Sequence, residues 1–128
     1  MYRIRVDVEG VGVFDALLDP SKNARTVKAL LNAMPLSGIA ERWGDELYFD
    51  CGVEVGEKSS QREVNVGDMA YWPQGRAVCI FFGTTPISKD DRPIAYSDVN
   101  VVGRILGDIS LLKSARGGCS IKIYRLQL

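Results

Sequence analysis

The sequence predicts a mostly-β protein: a closed barrel of about eight strands with one main capping α-helix and a short second helical turn. Three observations lead there. Short apolar runs recur along the chain and are broken by glycine-containing turns. One stretch alone sustains helical spacing, so strands do not alternate with helices as a parallel α/β fold requires. Closing the sheet on itself removes the unpaired edges that so many short strands would otherwise present.

The elements follow in order. Tyr2, Ile4, Val6 and Val8 alternate with Arg3, Arg5, Asp7 and Glu9, the period of two of a strand with one wet face. Gly10 and Gly12 bracket a tight turn into a second strand, Val13 to Leu18, too close for a crossover and therefore antiparallel. Asn23 is placed to cap a helix in which Ala24, Val27, Leu30, Leu31 and Met34 recur at helical spacing until Pro35. Its apolar face suits one open end of a barrel. Ser37 to Trp43 and Leu47 to Asp50 read as a hairpin across Gly44-Asp45, and residues 52–63 as a long surface loop. Met69 to Trp72 and Arg76 to Phe82, separated by Pro73-Gln74-Gly75, form the apolar centre. Residues 83–98 read as loop, Asn100 to Leu106 as strand, and Asp108 to Lys113 as one capped helical turn. Gly117-Gly118 admits a closing strand, Cys119 to Leu126.

At 128 residues the chain suits one domain, residues 1–128. Its 16 basic and 16 acidic residues cancel, so no net field draws it to nucleic acid or to an anionic membrane surface. The charge is uneven, however: residues 41–72 are mostly acidic and residues 104–128 mostly basic. Such segments pair with each other across a sheet, or the acidic one forms a rim facing a ligand. The alternating N-terminus does not read as a signal peptide, and no apolar run is long enough to span a bilayer, so a cytoplasmic location is expected. Three cysteines without a CxxC pair, Cys51, Cys79 and Cys119, argue against a disulfide framework and against a zinc site.

No histidine occurs, which removes Ser-His-Asp and Cys-His catalysis and the commonest metal ligand. Gly10-Val11-Gly12 leads into a strand rather than a helix, and no phosphate-cradling loop is present, so no cofactor is expected. Cys51, beside Asp50, reads as an inert thiol, and Cys79 and Cys119 as small buried hydrophobes. Asp45, Glu46, Asp50 and Asp68 offer carboxylates whose proximity the sequence does not fix. Aromatic residues gather in Trp43, Tyr48 and Phe49, then in Tyr71, Trp72, Phe81 and Phe82. An apolar cleft with a few polar anchors is the usual form of a ligand site, and Arg42 or Arg76 could hold a carbonyl or carboxylate. The cleft candidates are therefore Arg42, Tyr48, Trp72, Arg76 and Phe82; no catalytic residue and no metal ligand is assigned.

The run from Gly67-Asp68-Met69-Ala70-Tyr71-Trp72-Pro73-Gln74-Gly75-Arg76 through Phe81-Phe82-Gly83-Thr84-Thr85-Pro86 resembles the signature of a small archaeal and bacterial cyclophilin-like family of unassigned activity. Trp43-Gly44-Asp45-Glu46-Leu47-Tyr48-Phe49 and Asn100-Val101-Val102-Gly103-Arg104-Ile105 are similar to its motifs in the same order. The resemblance implies an eight-stranded barrel with a capping helix. Cyclophilins themselves are peptidyl-prolyl isomerases with an apolar proline pocket and an arginine that polarises the amide. By resemblance Phe82 takes a pocket-lining place and Met69-Ala70 falls near their Met-Ala segment. Leu47-Tyr48-Phe49-Asp50 occupies the strand of their catalytic arginine without supplying one, and their pocket histidine and rim tryptophan have no counterpart. Three functions are open on this basis: a domain binding a peptide or small acidic ligand in an aromatic-lined cleft, a weak peptidyl-prolyl isomerase, or a partner-dependent subunit in small-molecule metabolism of the allophanate-hydrolase type. Whether it acts as a homo-oligomer or with a protein partner is also left open.

Overall fold

A computed structural model describes residues 1–58 and 61–126. The strands are β1 (Tyr2–Val8), β2 (Gly12–Leu18), β3 (Leu36–Arg42), β4 (Glu46–Asp50), β5 (Gln61–Glu63), β6 (Asp68–Trp72), β7 (Ala77–Phe81), β8 (Ile94–Ile105) and β9 (Cys119–Arg125). Among the described residues a single helix, α1 (Ala24–Ala33), and two 3-10 segments, Pro73–Gly75 and Ile109–Ser114, complete them. The sheet runs β2-β1-β9-β3-β4-β7-β6-β8, and β2 pairs back onto β8, so eight strands close into a ring. The ninth, β5, lies outside the ring and pairs only with β8.

Closure follows from side-chain alternation. Ile4, Val6 and Val8 of β1, Phe14, Ala16 and Leu18 of β2, and Ile121 and Ile123 of β9 all enter one interior cluster. Thr26, Val27, Leu30 and Leu31 are the buried face of α1, and its three apolar members seal that cluster. The seam between β2 and β8 needs an unusually close backbone approach, because Leu18 and Gly103 are directly paired. A β-carbon at Gly103 would overlap the Leu17 carbonyl, and its next neighbour, the Leu18 Cα, would lie at 3.0 Å.

The start of α1 differs from the sequence reading. Asn23 takes a left-handed conformation (φ 50°, ψ 49°) and makes no capping bond. Its amide instead donates to the Val101 carbonyl at 2.8 Å. The cap comes from Glu57, whose Oε2 accepts from the Thr26 backbone N–H (2.8 Å) and hydroxyl (2.6 Å). A carboxylate at a helix N-terminus satisfies a free donor and meets the positive end of the dipole, so these bonds hold the Glu57 acid below its usual range. No local pattern reveals a cap supplied from 31 residues away. Asp108 does cap as expected, its Oδ1 accepting from Ser110 N–H.

Two further differences place the site. Residues 83–98, read as loop, include the start of the 12-residue β8, whose first half gains its strand character by pairing with β5 rather than from periodicity. Residues 61–63 of the segment read as loop form β5, and residues 59 and 60 of that segment lie outside the described residues. The pairing of β6 with β8 slips between Met69 and Ala70, and a run of four buried residues, Val99 to Val102, marks that slip on β8. Val102 and Ile105 thus serve the barrel interior, while Ala95, Val99 and Val101 serve a second cluster with Val64, Ala70, Cys79 and Phe81. That second cluster sits on the outer wall of the barrel. The acidic and basic segments do not pair: no ion pair among the described residues joins 41–72 to 104–128.

A Gly103→Ala substitution therefore forces the β2–β8 seam apart. It is expected to destabilise the fold by about 2 kcal/mol or more, read as a lower urea midpoint, whereas Gly56→Ala, with open space around its β-carbon and no left-handed backbone, costs less. Equal midpoints for the two variants would remove the seam from its proposed role.

Candidate functional site

The outer wall of β4, β6 and β7 is built by the same alternation that fills the barrel. On β4, Leu47 and Phe49 point inward, which leaves Glu46 and Tyr48 outward. On β7, Val78 and Ile80 are inward, and Cys79 and Phe81 outward. The whole of β7 is buried, because the first half of β8 covers its outer face as the barrel covers its inner one. Between this wall and that arm lies a cavity of about 360 Å³, lined by Trp43, Glu46, Tyr48, Trp72, Cys79, Ala95, Tyr96 and Val99.

Four aromatic rings enclose it as a series of perpendicular walls. The Trp43 and Tyr96 centroids are 5.9 Å apart at an interplanar angle of 80°. Tyr96 and Trp72 are 6.0 Å apart at 77°, and Trp72 and Tyr48 are 6.2 Å apart at 88°. These are edge-to-face separations, which favour contact between the positive edge of one ring and the negative face of the next. Trp72 is held firmly. Its Nε1–H donates to Ser97 Oγ at 2.6 Å, the Ser97 hydroxyl donates to Gln74 Oε1 at 3.0 Å, and Gly75 lies under the indole. A β-carbon there would stand 2.6 Å from the ring. Trp43 projects from the β3–β4 turn, which is closed by reciprocal backbone bonds between Trp43 and Glu46. Tyr96 forms the mouth and is 66% exposed.

Glu46 lines the cavity and is only 5% exposed. No lysine or arginine pairs with it among the described residues. Burial disfavours its charged form and pushes its acid up to about 7, against a smaller opposite effect of the hydrogen bond from the Cys79 thiol. Burial, reinforced by the Glu46 charge, in turn raises the Cys79 thiol well above its usual value, which leaves it a protonated donor rather than a nucleophile. Burial and the neighbouring Glu41 and Glu46 also raise Tyr48.

The five cleft candidates fall into three places. Tyr48 and Trp72 line the cavity. Phe82 belongs to the barrel interior, and the Arg42 guanidinium stands over it at 5.1 Å from the ring centroid. Arg42 is consumed by structure, donating to the carbonyls of Gly44 (2.8 Å), Lys113 (2.7 Å) and Ala115 (2.8 Å) and to Asp45 Oδ1 (2.7 Å). Arg76 lies at the far end of β7 in an exposed pair with Asp50 (3.1 Å), with Glu54 at 3.7 Å. Trp43, Glu46, Cys79, Ala95, Tyr96 and Val99 complete the cavity. Glu46 alternates with the core residues Leu47 and Phe49 beside an unbroken apolar strand, a signal that its face is covered; Tyr96 lay in residues read as loop. Among the described residues no group of three or more His, Cys, Asp or Glu side chains is placed to hold a metal ion.

A family model described as Cyclophilin-like matches residues 2–124. The solution structure of a hypothetical protein from Archaeoglobus fulgidus is similar, with 40% identity and a TM-score of 0.80, covering 98% of this chain and 95% of that one. No curated protein matches.

The buried carboxylate links stability to pH. In the native state Glu46 holds its proton up to about pH 7, whereas the unfolded chain releases it near the ordinary value of 4.5. Between those values the native state binds more protons, so stability falls as pH rises through the window, by up to roughly 3 kcal/mol. Glu46→Gln keeps the side chain neutral throughout. Its stability is expected to match the parent protein near pH 5 and to exceed it by roughly 2 kcal/mol at pH 8, as measured from urea midpoints. A difference that does not change between the two pH values would contradict the assignment.

Proposed function

The chain belongs to the cyclophilin-like family, and from that premise we propose that it is a ligand-binding domain whose site is the cavity on the outer barrel wall. One observation carries this reading: four perpendicular aromatic rings enclose about 360 Å³ around a buried carboxylate. The volume lies in the range of small-molecule sites, and walls that are apolar with a single polar anchor are what such sites use to bind and orient. The ligand has an apolar body, in a small molecule or a peptide side chain, and a polar head that meets Glu46. An acidic head is disfavoured, because Arg42 and Arg76 are engaged elsewhere and an ionised Glu46 repels it. The cytoplasm is part of the same proposal, since Cys51, Cys79 and Cys119 are free thiols, the state a reducing compartment maintains.

The isomerase alternative needs a donor aimed at a proline amide beside an apolar socket, against a rotation barrier of about 18–20 kcal/mol. The arrangement offers poor support for it: Arg42 spends its donors on three carbonyls and Asp45, and Phe82 is buried beneath it. Adding the protein to a proline-peptide isomerisation assay is expected to leave the rate unchanged; a clear acceleration abolished by Arg42→Ala would restore that alternative.

Both tryptophans of the chain line the cavity, so tryptophan signals report on this site alone. A panel of small amines, alcohols, amides, carboxylates and proline peptides is expected to contain compounds that shift both indole N–H resonances saturably. Tyr96→Ala, at an exposed position with little to lose in folding, is expected to weaken such binding about tenfold, the loss of one stacked ring. Shifts confined to other parts of the surface, or none, would overturn the site.

A further inference from the structure

The charge and the walls of the cavity together specify a ligand class, an inference that rests on the cavity being a binding site. We infer that it recognises an alkylated ammonium head, seated among Trp43, Tyr48, Trp72 and Tyr96 with Glu46 as its counter-ion.

Four features converge. Aromatic rings carry negative faces, and a cation placed among several of them is attracted without any hydrogen-bond donor, most strongly when water is excluded. The rings here stand as near-perpendicular walls 5.9–6.2 Å apart in sequence, so a compact head set among them meets more than one ring. Glu46 is the only residue of the lining with a carboxylate, and no lysine or arginine lines the cavity with it. The donor that meets it there, the Cys79 thiol, is neutral. A buried carboxylate met by one weak donor keeps its proton for want of a charged partner, and a cation entering the cavity lets it ionise and completes the pair. The two arginines that flank the aromatic segments are committed: Arg42 to carbonyls and Asp45, Arg76 to Asp50.

Alkylation is specified by what the cavity lacks. A primary ammonium is strongly hydrated and needs acceptors for three N–H bonds. Trp43, Trp72, Ala95 and Val99 make most of the lining apolar, a surface that suits methyl groups better than N–H donors, and an alkylated head needs only the charge of Glu46 rather than several acceptors. Such a head occurs on free quaternary amines and on methylated lysine side chains, and the chemistry the site reads is common to both.

The test titrates the full chain with choline, with dimethylbutanol as its uncharged carbon isostere, and with a short peptide carrying trimethyllysine, following tryptophan fluorescence and the two indole N–H resonances. Choline is expected to bind saturably and at least about tenfold more tightly than the isostere. Glu46→Gln should weaken choline about tenfold and leave the isostere unchanged, with Glu46→Asp intermediate. Tighter binding of the peptide than of choline assigns the head to a modified protein, and the reverse assigns it to a free amine. Equal affinity for choline and its isostere, or choline binding indifferent to Glu46→Gln, overturns the inference while leaving the cavity as a ligand site. Failure of all three probes to move either indole overturns the inference, and the cavity as a ligand site falls with it when the wider panel of amines, alcohols, amides, carboxylates and proline peptides is equally silent.

Discussion

Everything about this molecule depends on closing the sheet between β2 and β8. Until that seam forms, each strand has two faces of equal standing; once it forms, one face of every strand is interior and the other is not. The seam is narrow at Gly103, where no side chain can be accommodated against the Leu17 carbonyl. Two pairs along the ladder, Ala16 and Ile105 face each other, small opposite large, and both enter the barrel core. The interior then fills with branched and aromatic side chains and α1 seals it, which is the larger part of the apolar burial.

Closure also creates the site. An outer wall of a barrel is usually wet, but on β4, β6 and β7 it carries Tyr48, Ala70, Trp72, Cys79 and Phe81, a surface that water would not tolerate cheaply. The first half of β8, stiffened by pairing with β5, folds over that wall. Because β8 is one continuous strand, its cover is fixed relative to the seam: the residues that close the ring and those that roof the cavity are parts of the same rod. The slip in pairing at Met69–Ala70 lets it serve both, by giving Val99 and Val101 to the outer cluster and the adjacent Val102 to the interior. The cover is incomplete over Glu46, and the gap is the cavity.

Much of this was legible in the sequence, and the exceptions have physical causes. Strict alternation in residues 2–8, glycine turns and one amphipathic stretch are local signals, and they gave β1, β2, α1 and the β6–β7 hairpin nearly to the residue. The N-terminal half of β8 had no such signal, since Ile94 to Asp98 includes an exposed tyrosine and polar neighbours and becomes strand through its tertiary partner. The Glu57 cap on α1 was invisible for the same reason. At the site, Tyr48 and Trp72 were recognisable as aromatic residues near turns, whereas Arg42 looked like a ligand anchor because a lone arginine beside aromatics cannot be distinguished in sequence from one that ties a turn to a distant 3-10 segment. Glu46 is the instructive case. Its neighbours Leu47 and Phe49 fix its direction, and the unbroken apolar run of β7 beside it shows that this direction is covered.

The placement of Glu46 is a poor choice for stability alone. An outward position on β4 beside Cys79 and Phe81 would accept an apolar residue with no charge to desolvate. A buried carboxylate lacking a cation lowers the stability of the native state at neutral pH and above, and that loss is recovered only by a partner that the fold does not contain. Cys79 moderates the penalty without removing it, because a thiol is a weak donor. Meanwhile Trp72 is fixed by Ser97, Gln74 and Gly75, so that wall needs little reordering to receive a ligand. A largely apolar box around a carboxylate that lacks a charged partner sets its own selectivity: a neutral apolar guest gains from the walls alone, an anion is repelled once Glu46 ionises, and a compact cation with an apolar coat gains from both.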